Sequence, residues 1–133
     1  MHVYLKGIMT SVEKLLQKSG YSIEDVKIAF EKKIHELENK KIIRENVPLE
    51  GVKERKTGRF VTLIQSDYPL KMFVLQEVYV GKDEPEIRIG YYIVSKKMLE
   101  KGKLSLQWGQ FNPNIPKKDL MKLIEMAKRK SIL

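Results

Sequence analysis

The sequence predicts an α+β fold in two layers, with a four-stranded antiparallel meander covered by an N-terminal helical pair and a C-terminal helix. Three observations lead to this prediction. Apolar residues recur at three- and four-residue steps in the first third of the chain, they alternate with a period of two in the middle, and the helical spacing returns near the end. A chain of 133 residues fits one domain. Its parts are predicted as a helical hairpin at 10–46, a sheet at 59–111 and a basic helix at 116–130.

Capping residues define the two N-terminal helices. Thr10-Ser11-Val12-Glu13 has the form of a capping box, and Gly20 is suited to end the helix that follows. Ser22, with two acids close behind it, then caps a longer helix. One face of this second helix is apolar, with Ile23, Val26, Phe30, Ile34 and Leu37. We expect it to run to about Lys41, and we interpret residues 49–58 as a charged connection.

Four segments rich in β-branched and aromatic residues have the alternation of strands. The breaks between them are short enough for hairpins, so an antiparallel meander is the simplest topology. The strands are predicted at residues 59–66, 70–80, 86–95 and 103–111.

Alternation within each strand separates an apolar side from a polar side. We expect the apolar sides to form one face of the sheet, covered by the helices, and the polar sides to form the other. The predicted apolar face contains Leu70, Met72, Val74, Val78 and Val80, then Ile87, Ile89, Tyr91 and Ile93, then Leu104, Leu106 and Trp108. Pro116 suits the first turn of the final helix, whose predicted buried stripe is Leu120, Leu123, Ile124 and Ala127.

Composition excludes several classes of function. The chain has no cysteine, which excludes disulfides, thiol catalysis and cysteine-based zinc sites. Its two histidines, His2 and His35, lack metal-ligand spacing, and we find no Gly-rich phosphate loop, so we predict no catalytic residues, no metal and no cofactor. No apolar run approaches the roughly 18 residues that cross a bilayer, and no signal-peptide pattern is present. We therefore expect a cytoplasmic protein without a membrane partner, and its abundant Lys and Glu are typical of thermophiles.

The net charge of +9 is concentrated in the last part of the chain. Residues 1–46 carry +2 and residues 47–95 are neutral, whereas residues 96–133 carry ten basic residues against three acids, a net +7. Such a skew favours polyanions. We therefore expect a small, basic, non-enzymatic protein that binds DNA or RNA, or associates with it. Its phosphate contacts would come from Lys96, Lys97, Lys101, Lys103, Lys117, Lys118, Lys122, Lys128, Arg129 and Lys130. The alternative interpretation is a solvated surface that serves solubility.

A second group of residues is expected to provide finer recognition. Arg88 and Tyr92 share the predicted polar face of the sheet, with Tyr79 as a neighbour, and such side chains can stack on bases and pair with phosphates. Gln107 and Gln110 carry amides that can form bidentate hydrogen bonds to base edges. Cross-strand packing of the Tyr and Arg side chains is the structural alternative.

The stretch QWGQFNPNIP, residues 107–116, contains the single tryptophan of the chain. Trp108 falls on the predicted apolar side of the last strand, so we expect its ring in the core. Asn112-Pro113-Asn114 suits the turn between that strand and the final helix, because Asn side chains bond to nearby backbone groups.

Two further functions remain open from the sequence. One is a protein-interaction module that acts as a homodimer through an exposed strand edge or helix face. The other is a metal-dependent nuclease that uses Asp67 and Glu86, although Glu86-Ile87-Arg88 has Arg where such nucleases usually have Lys.

Overall fold

The computed structural model describes residues 11–81, 84–109 and 114–133. Residues 11–18 are helical and are called α1. The later elements are α2 (Ile23–Asn39), β1 (Ile42–Val47), β2 (Gly51–Ile64), β3 (Lys71–Tyr79), β4 (Pro85–Val94), α3 (Lys96–Glu100), β5 (Leu106–Gly109) and α4 (Lys117–Arg129). An α+β fold with an antiparallel sheet is therefore confirmed.

The helix-capping signals have the predicted local effects. Gly20 follows α1 with a φ of 83°, a conformation that glycine adopts without steric cost. Ser22 caps α2, since its hydroxyl accepts from the Asp25 amide while the Asp25 carboxylate accepts from the Ser22 amide. The chain leaves the helix at Lys40, which has extended backbone angles. The capping box of the first helix includes Thr10, which lies outside the described residues.

The sheet has five strands in the order β1-β2-β3-β4-β5, so the prediction of four strands is wrong. Residues 42–46 were predicted as part of the helical hairpin and residues 49–58 as a charged connection, but β1 and the first part of β2 form an antiparallel hairpin there. Charged residues occupy many positions of these strands, so apolar alternation is weak there. Arg44 faces Glu54 and Glu45 faces Lys53 across the two strands. Such cross-strand pairs stabilise a hairpin that propensity alone does not favour.

Helices cover both faces of the sheet, so the two-layer arrangement is also wrong. One core cluster packs α1 and α2 against Met72, Val74 and their neighbours. A second cluster, on the other face, packs Leu123 and Ala127 of α4 against Phe73 and Leu75. Alternation separates the two sides of one strand, but the register of pairing decides which sides of neighbouring strands lie on the same face of the sheet. The central strand β3 is apolar on both sides, because Phe73 and Leu75 oppose the predicted stripe.

The register also places the apolar sides of β3 and β4 on different faces. Met72 lies opposite Tyr92, and Phe73 lies opposite Tyr91. Ile89 and Tyr91 therefore belong to the cluster under α4 rather than to the cluster under α1 and α2.

The connection from β4 to β5 contains a short helix that was not predicted. Ser95 caps α3, its hydroxyl accepting from the Met98 amide at 3.2 Å. Leu99 of α3 is buried in the cluster under α1 and α2, and the Ser19 hydroxyl donates to the Leu99 carbonyl at 2.6 Å. Within the described residues β5 spans four residues, shorter than the predicted 103–111.

The final helix begins next to the end of β2. Asp119, buried in the first turn of α4, accepts a hydrogen bond from the Ser66 amide at 2.9 Å. At the other end of α4, Lys130 donates to the Phe60 carbonyl at 3.1 Å. The helix therefore runs antiparallel to β2. Of the predicted buried stripe of α4, Leu123 and Ala127 are buried, whereas Leu120 and Ile124 are half-buried.

The sheet curls around its α1–α2 face. In a flat sheet β1 and β4 would lie three strand spacings, about 14 Å, apart. Nevertheless an Arg88 guanidinium nitrogen on β4 lies 3.4 Å from a Glu45 carboxylate oxygen on β1. The curl leaves an open groove between β1 and the β4–β5 pair. Among the described residues, no helix is long and apolar enough to cross a membrane.

Candidate nucleic-acid interface

All ten predicted phosphate-contacting residues are exposed. They fall into two groups, because α3 and α4 pack against opposite faces of the sheet. Lys96, Lys97, Lys101 and Lys103 belong to the connection that contains α3, and the remaining six belong to α4 and its C-terminal end.

Six of the lysines lie at one end of the sheet, which we call the lysine end: Lys96, Lys97, Lys101, Lys103, Lys117 and Lys118. Two contacts define this end. Val94, the last residue of β4, donates its amide to the Leu70 carbonyl, and Ser66 binds the first turn of α4. The β4–β5 connection, the β2–β3 turn and the start of α4 are therefore neighbours. Lys128, Arg129 and Lys130 lie about 18 Å away, at the far end of the helix.

Few of these cations are neutralised by acids. Arg129 forms an ion pair with Glu125, one turn back on α4. Lys130 is bound to a backbone carbonyl and lies 5.5 Å from the centre of the Phe60 ring. The other eight lysines have no acid within 4 Å in the described part of the chain. Their charge is therefore presented to solvent.

The groove on the curled face brings together two of the residues predicted for recognition, Arg88 and Tyr92. Its volume is about 490 Å³. It is lined by Lys40, Ile42, Ile43, Arg44, Glu45, Asn46, Glu54, Arg88, Tyr92 and Trp108. We call it the Arg88 groove.

Two arginines share one carboxylate beside this groove. Arg88 lies 3.4 Å from Glu45 Oε1, and Arg55 Nε lies 3.6 Å from Glu45 Oε2. Gln76, which is neutral and buried, accepts from Arg88 at 2.8 Å. The Arg88 and Arg55 side chains are only 13 % and 18 % exposed, and neither Nε has a hydrogen-bond partner among the described residues. The cluster therefore retains one formal positive charge in a half-buried position.

Aromatic rings form the wall of the Arg88 groove. The Tyr92 and Trp108 ring centres are 4.9 Å apart, with the planes tilted by 59°. The Arg88 guanidinium lies 4.7 Å from the centre of the Trp108 ring, in position for a cation–π contact. Gly90 permits this arrangement, because a Cβ there would overlap the Trp108 ring. Trp108 is partly buried against the first core cluster, and it also lines the groove.

Burial changes the proton affinities in this cluster. Burial lowers the pKa of Arg88 from its usual value, and the opposing effect of Glu45 does not fully offset it. Burial also raises the pKa of Tyr92, although Lys33 and Arg88 act in the opposite direction. Burial is the largest cause of both shifts, as expected for side chains with limited contact with water.

The other residues predicted for recognition are not brought to the Arg88 groove. Gln107 is exposed and pairs with Ile93, so it belongs to the face of the sheet that α4 covers. Tyr79 also lies on that face, where Lys56 is 5.9 Å from its ring centre. Gln110, like Asn112 and Pro113 of the predicted turn, lies outside the described residues.

A second arginine–glutamate pair has balanced charges, and its two side chains are hydrogen-bonded to each other. Glu77 is buried, and its carboxylate accepts from Arg59 Nε at 3.0 Å, from the second guanidinium nitrogen at 3.2 Å and from the Arg59 amide at 2.9 Å. A register shift between Thr57 and Phe60 positions Arg59. The same guanidinium donates to the Lys130 carbonyl at 3.0 Å, which joins β2 to the end of α4. This pair has a structural role.

The carboxylates of the nuclease hypothesis do not converge. Asp67 lies in the β2–β3 turn, beside the start of β3, whereas Glu86 pairs with Val78 near its end. Seven residues of strand separate these positions, about 23 Å, so one metal ion cannot bind both. The described residues contain no cluster of three or more His, Asp or Glu that could hold a metal ion.

The chain matches no protein-family model, no curated protein and no solved structure. Its class is therefore defined by its own geometry: a basic α+β protein with a curled five-stranded sheet, an exposed lysine end and a cationic aromatic groove.

Proposed function

We propose that this protein is a non-enzymatic nucleic-acid-binding or nucleic-acid-associated protein whose lysine end contacts the phosphate backbone. The supporting observation is that its six lysines are exposed, lie at one end of the sheet and have no acid within 4 Å among the described residues. Clustered cations that are not neutralised create a local potential that attracts polyanions and releases their counterions.

The test is a titration of fluorescently labelled single-stranded and duplex DNA and RNA at several salt concentrations. We expect binding at low salt, with an affinity that falls linearly on a logarithmic scale as salt rises. Absence of binding at low salt, or binding that salt does not change, would falsify the proposal.

A pair of double variants localises the contact. Replacing Lys103 and Lys118 by Gln should reduce the magnitude of the salt slope by about two, since each phosphate contact contributes about one. The control replaces Lys27 and Lys32, exposed lysines of α2, in the same way. It has the same total charge and should leave the slope unchanged. Equal losses in both variants would mean that the lysine end is not the contact surface.

A second candidate function, a homodimer, is favoured by the β1–β2 hairpin. β1 is an edge strand of the sheet, and Ile42, Leu49 and Val52 are exposed large apolar residues on the hairpin. Exposed edges and apolar patches are common features of interaction surfaces. Light scattering distinguishes the two candidates: a dimer that dissociates on Val52→Lys and has no affinity for polyanions would support this second function.

A further inference from the structure

The Arg88 groove has properties that the lysine end lacks. It combines a half-buried cation excess with an aromatic wall, whereas the lysine end consists of exposed charges. An uncompensated charge that is removed from water costs free energy, and a bound anion would offset that cost. The sequence predicts that Arg88 and Tyr92 share a polar face, but only the fold shows that Trp108 lies beside them.

The chemistry of the groove defines its ligand. The Arg88 guanidinium lines the groove, and such a group suits a phosphate or a base edge. The Trp108 ring also lines it, and a tryptophan ring suits the face of a planar base. A volume of about 490 Å³ falls within the size range of sites that hold one small ligand. A duplex keeps its bases stacked inside, so it cannot present a base to such a groove.

We infer that the Arg88 groove binds one unpaired nucleotide of a single strand, with the base against Trp108 and Tyr92 and the adjacent phosphate near Arg88 and Lys40. This inference rests on the proposed function and specifies its ligand as single-stranded. Tyr92 and Lys96 are separated by four residues, about 13 Å along the chain. One single-stranded nucleic acid can therefore contact the Arg88 groove and the lysine end at the same time.

The single tryptophan makes the inference directly measurable, because all tryptophan fluorescence of the chain comes from Trp108. One probe is a single-stranded oligonucleotide of about 12 nucleotides, a length within the range that single-strand-binding sites cover. The other probe is the same sugar–phosphate backbone without bases. We expect the strand with bases to quench Trp108 fluorescence and to bind about tenfold more tightly than the abasic strand. We expect the abasic strand and a duplex to bind without quenching.

The outcomes separate this inference from the proposed function. Equal affinity for both single strands with no change in fluorescence overturns the groove as a base site, while the lysine end keeps its role. Absence of binding by every nucleic acid at low salt overturns both. The inference is also overturned if the duplex quenches Trp108 as strongly as the single strand does, because the bases of a duplex are paired and cannot enter the groove.

A variant provides an independent test. Arg88→Lys keeps the charge but loses the planar fork beside the bound phosphate, so affinity for the strand with bases should fall about tenfold. The abasic strand has no base to hold it in the groove, so its affinity should change little. Lys27→Arg, an exposed Lys/Arg exchange on α2, is the control and should change neither affinity. Circular dichroism and thermal unfolding establish that each variant folds. If Arg88→Lys does not fold, the fluorescence titration of the unmodified protein decides.

Discussion

Two arginine–glutamate clusters on the same sheet differ in the balance of their charges. At the bulge of β2, one arginine meets one buried carboxylate, Glu77, through three hydrogen bonds of 2.9–3.2 Å. On the curled face, Arg88 and Arg55 share Glu45 at 3.4 and 3.6 Å. The first cluster satisfies its charges internally, whereas the second has one cation more than it has anions.

This difference relates each cluster to a different role. A matched pair that joins β2, β3 and the end of α4 stabilises the fold without needing a ligand. We expect the unmatched cluster beside the open groove to be stabilised by a bound anion, because its two arginines share one carboxylate.

Glu77→Gln should destabilise the protein by about 2 kcal/mol, because it removes charge-assisted hydrogen bonds from a buried position. Chemical denaturation measures this. Hydrogen bonds from Arg59 lower the pKa of Glu77 below its ordinary value of 4.5. The stabilisation by the ionised carboxylate is therefore complete above about pH 4.5 and is lost as pH falls through the lower pKa of the folded state. The variant should lack this acid-dependent loss.

The exposed pair Arg129–Glu125 is the control for that measurement. Arg129→Gln should change the free energy of unfolding by less than about 0.5 kcal/mol, since solvent screens an exposed pair on one helix. A Glu77→Gln effect no larger than this would contradict a structural role for the buried pair.

Two glycine substitutions compare the clusters directly. A Cβ at Gly58 would lie 2.9 Å from Glu77 Oε1, and a Cβ at Gly90 would overlap Trp108. Each Gly→Ala variant should lose about 1–2 kcal/mol of stability through overpacking. Only Gly90→Ala should shift the Trp108 emission maximum, because it moves the ring. Equal emission shifts in the two variants would show that the clusters are not independent.

Glu45→Gln should destabilise the protein by about 1 kcal/mol, less than Glu77→Gln, because the Glu45 side chain is 22 % exposed whereas the Glu77 side chain is 5 % exposed. Removing this acid increases the positive potential of the Arg88 groove. Affinity for the single strand should therefore rise at least about threefold. An unchanged or weaker affinity in the same titration would mean that the anion does not bind beside Glu45.

Several local features followed from sequence because their causes are local. The Ser22 cap, the positive φ of Gly20 and the start of α4 after Pro116 depend on a few neighbouring residues. The strands at the centre of the sheet were also predicted, because their apolar alternation is strong.

The β1–β2 hairpin was missed because its strands are highly charged. Ile42, Ile43 and Val52 provided some signal, and Pro48 to Gly51 has turn composition, yet the pattern was weaker than that of the neighbouring helix. Without this hairpin the groove has no second wall. Trp108 was expected in the core because it falls on the apolar side of its strand, and Arg88 was expected on the polar side. The register places both on one face, where Trp108 packs against the first core cluster and also lines the groove.

The sequence by itself determined the α+β class, the principal helices and central strands, and the concentration of positive charge after residue 95. Only the tertiary structure decided that α4 covers the opposite face from α1 and α2, and that Arg88, Tyr92 and Trp108 meet under Glu45. The reason is physical. Caps and periodicities depend on residues within a few positions, whereas register depends on strand partners as far apart in the chain as Lys56 and Tyr79, and curl is seen in a contact as distant as that of Glu45 with Arg88.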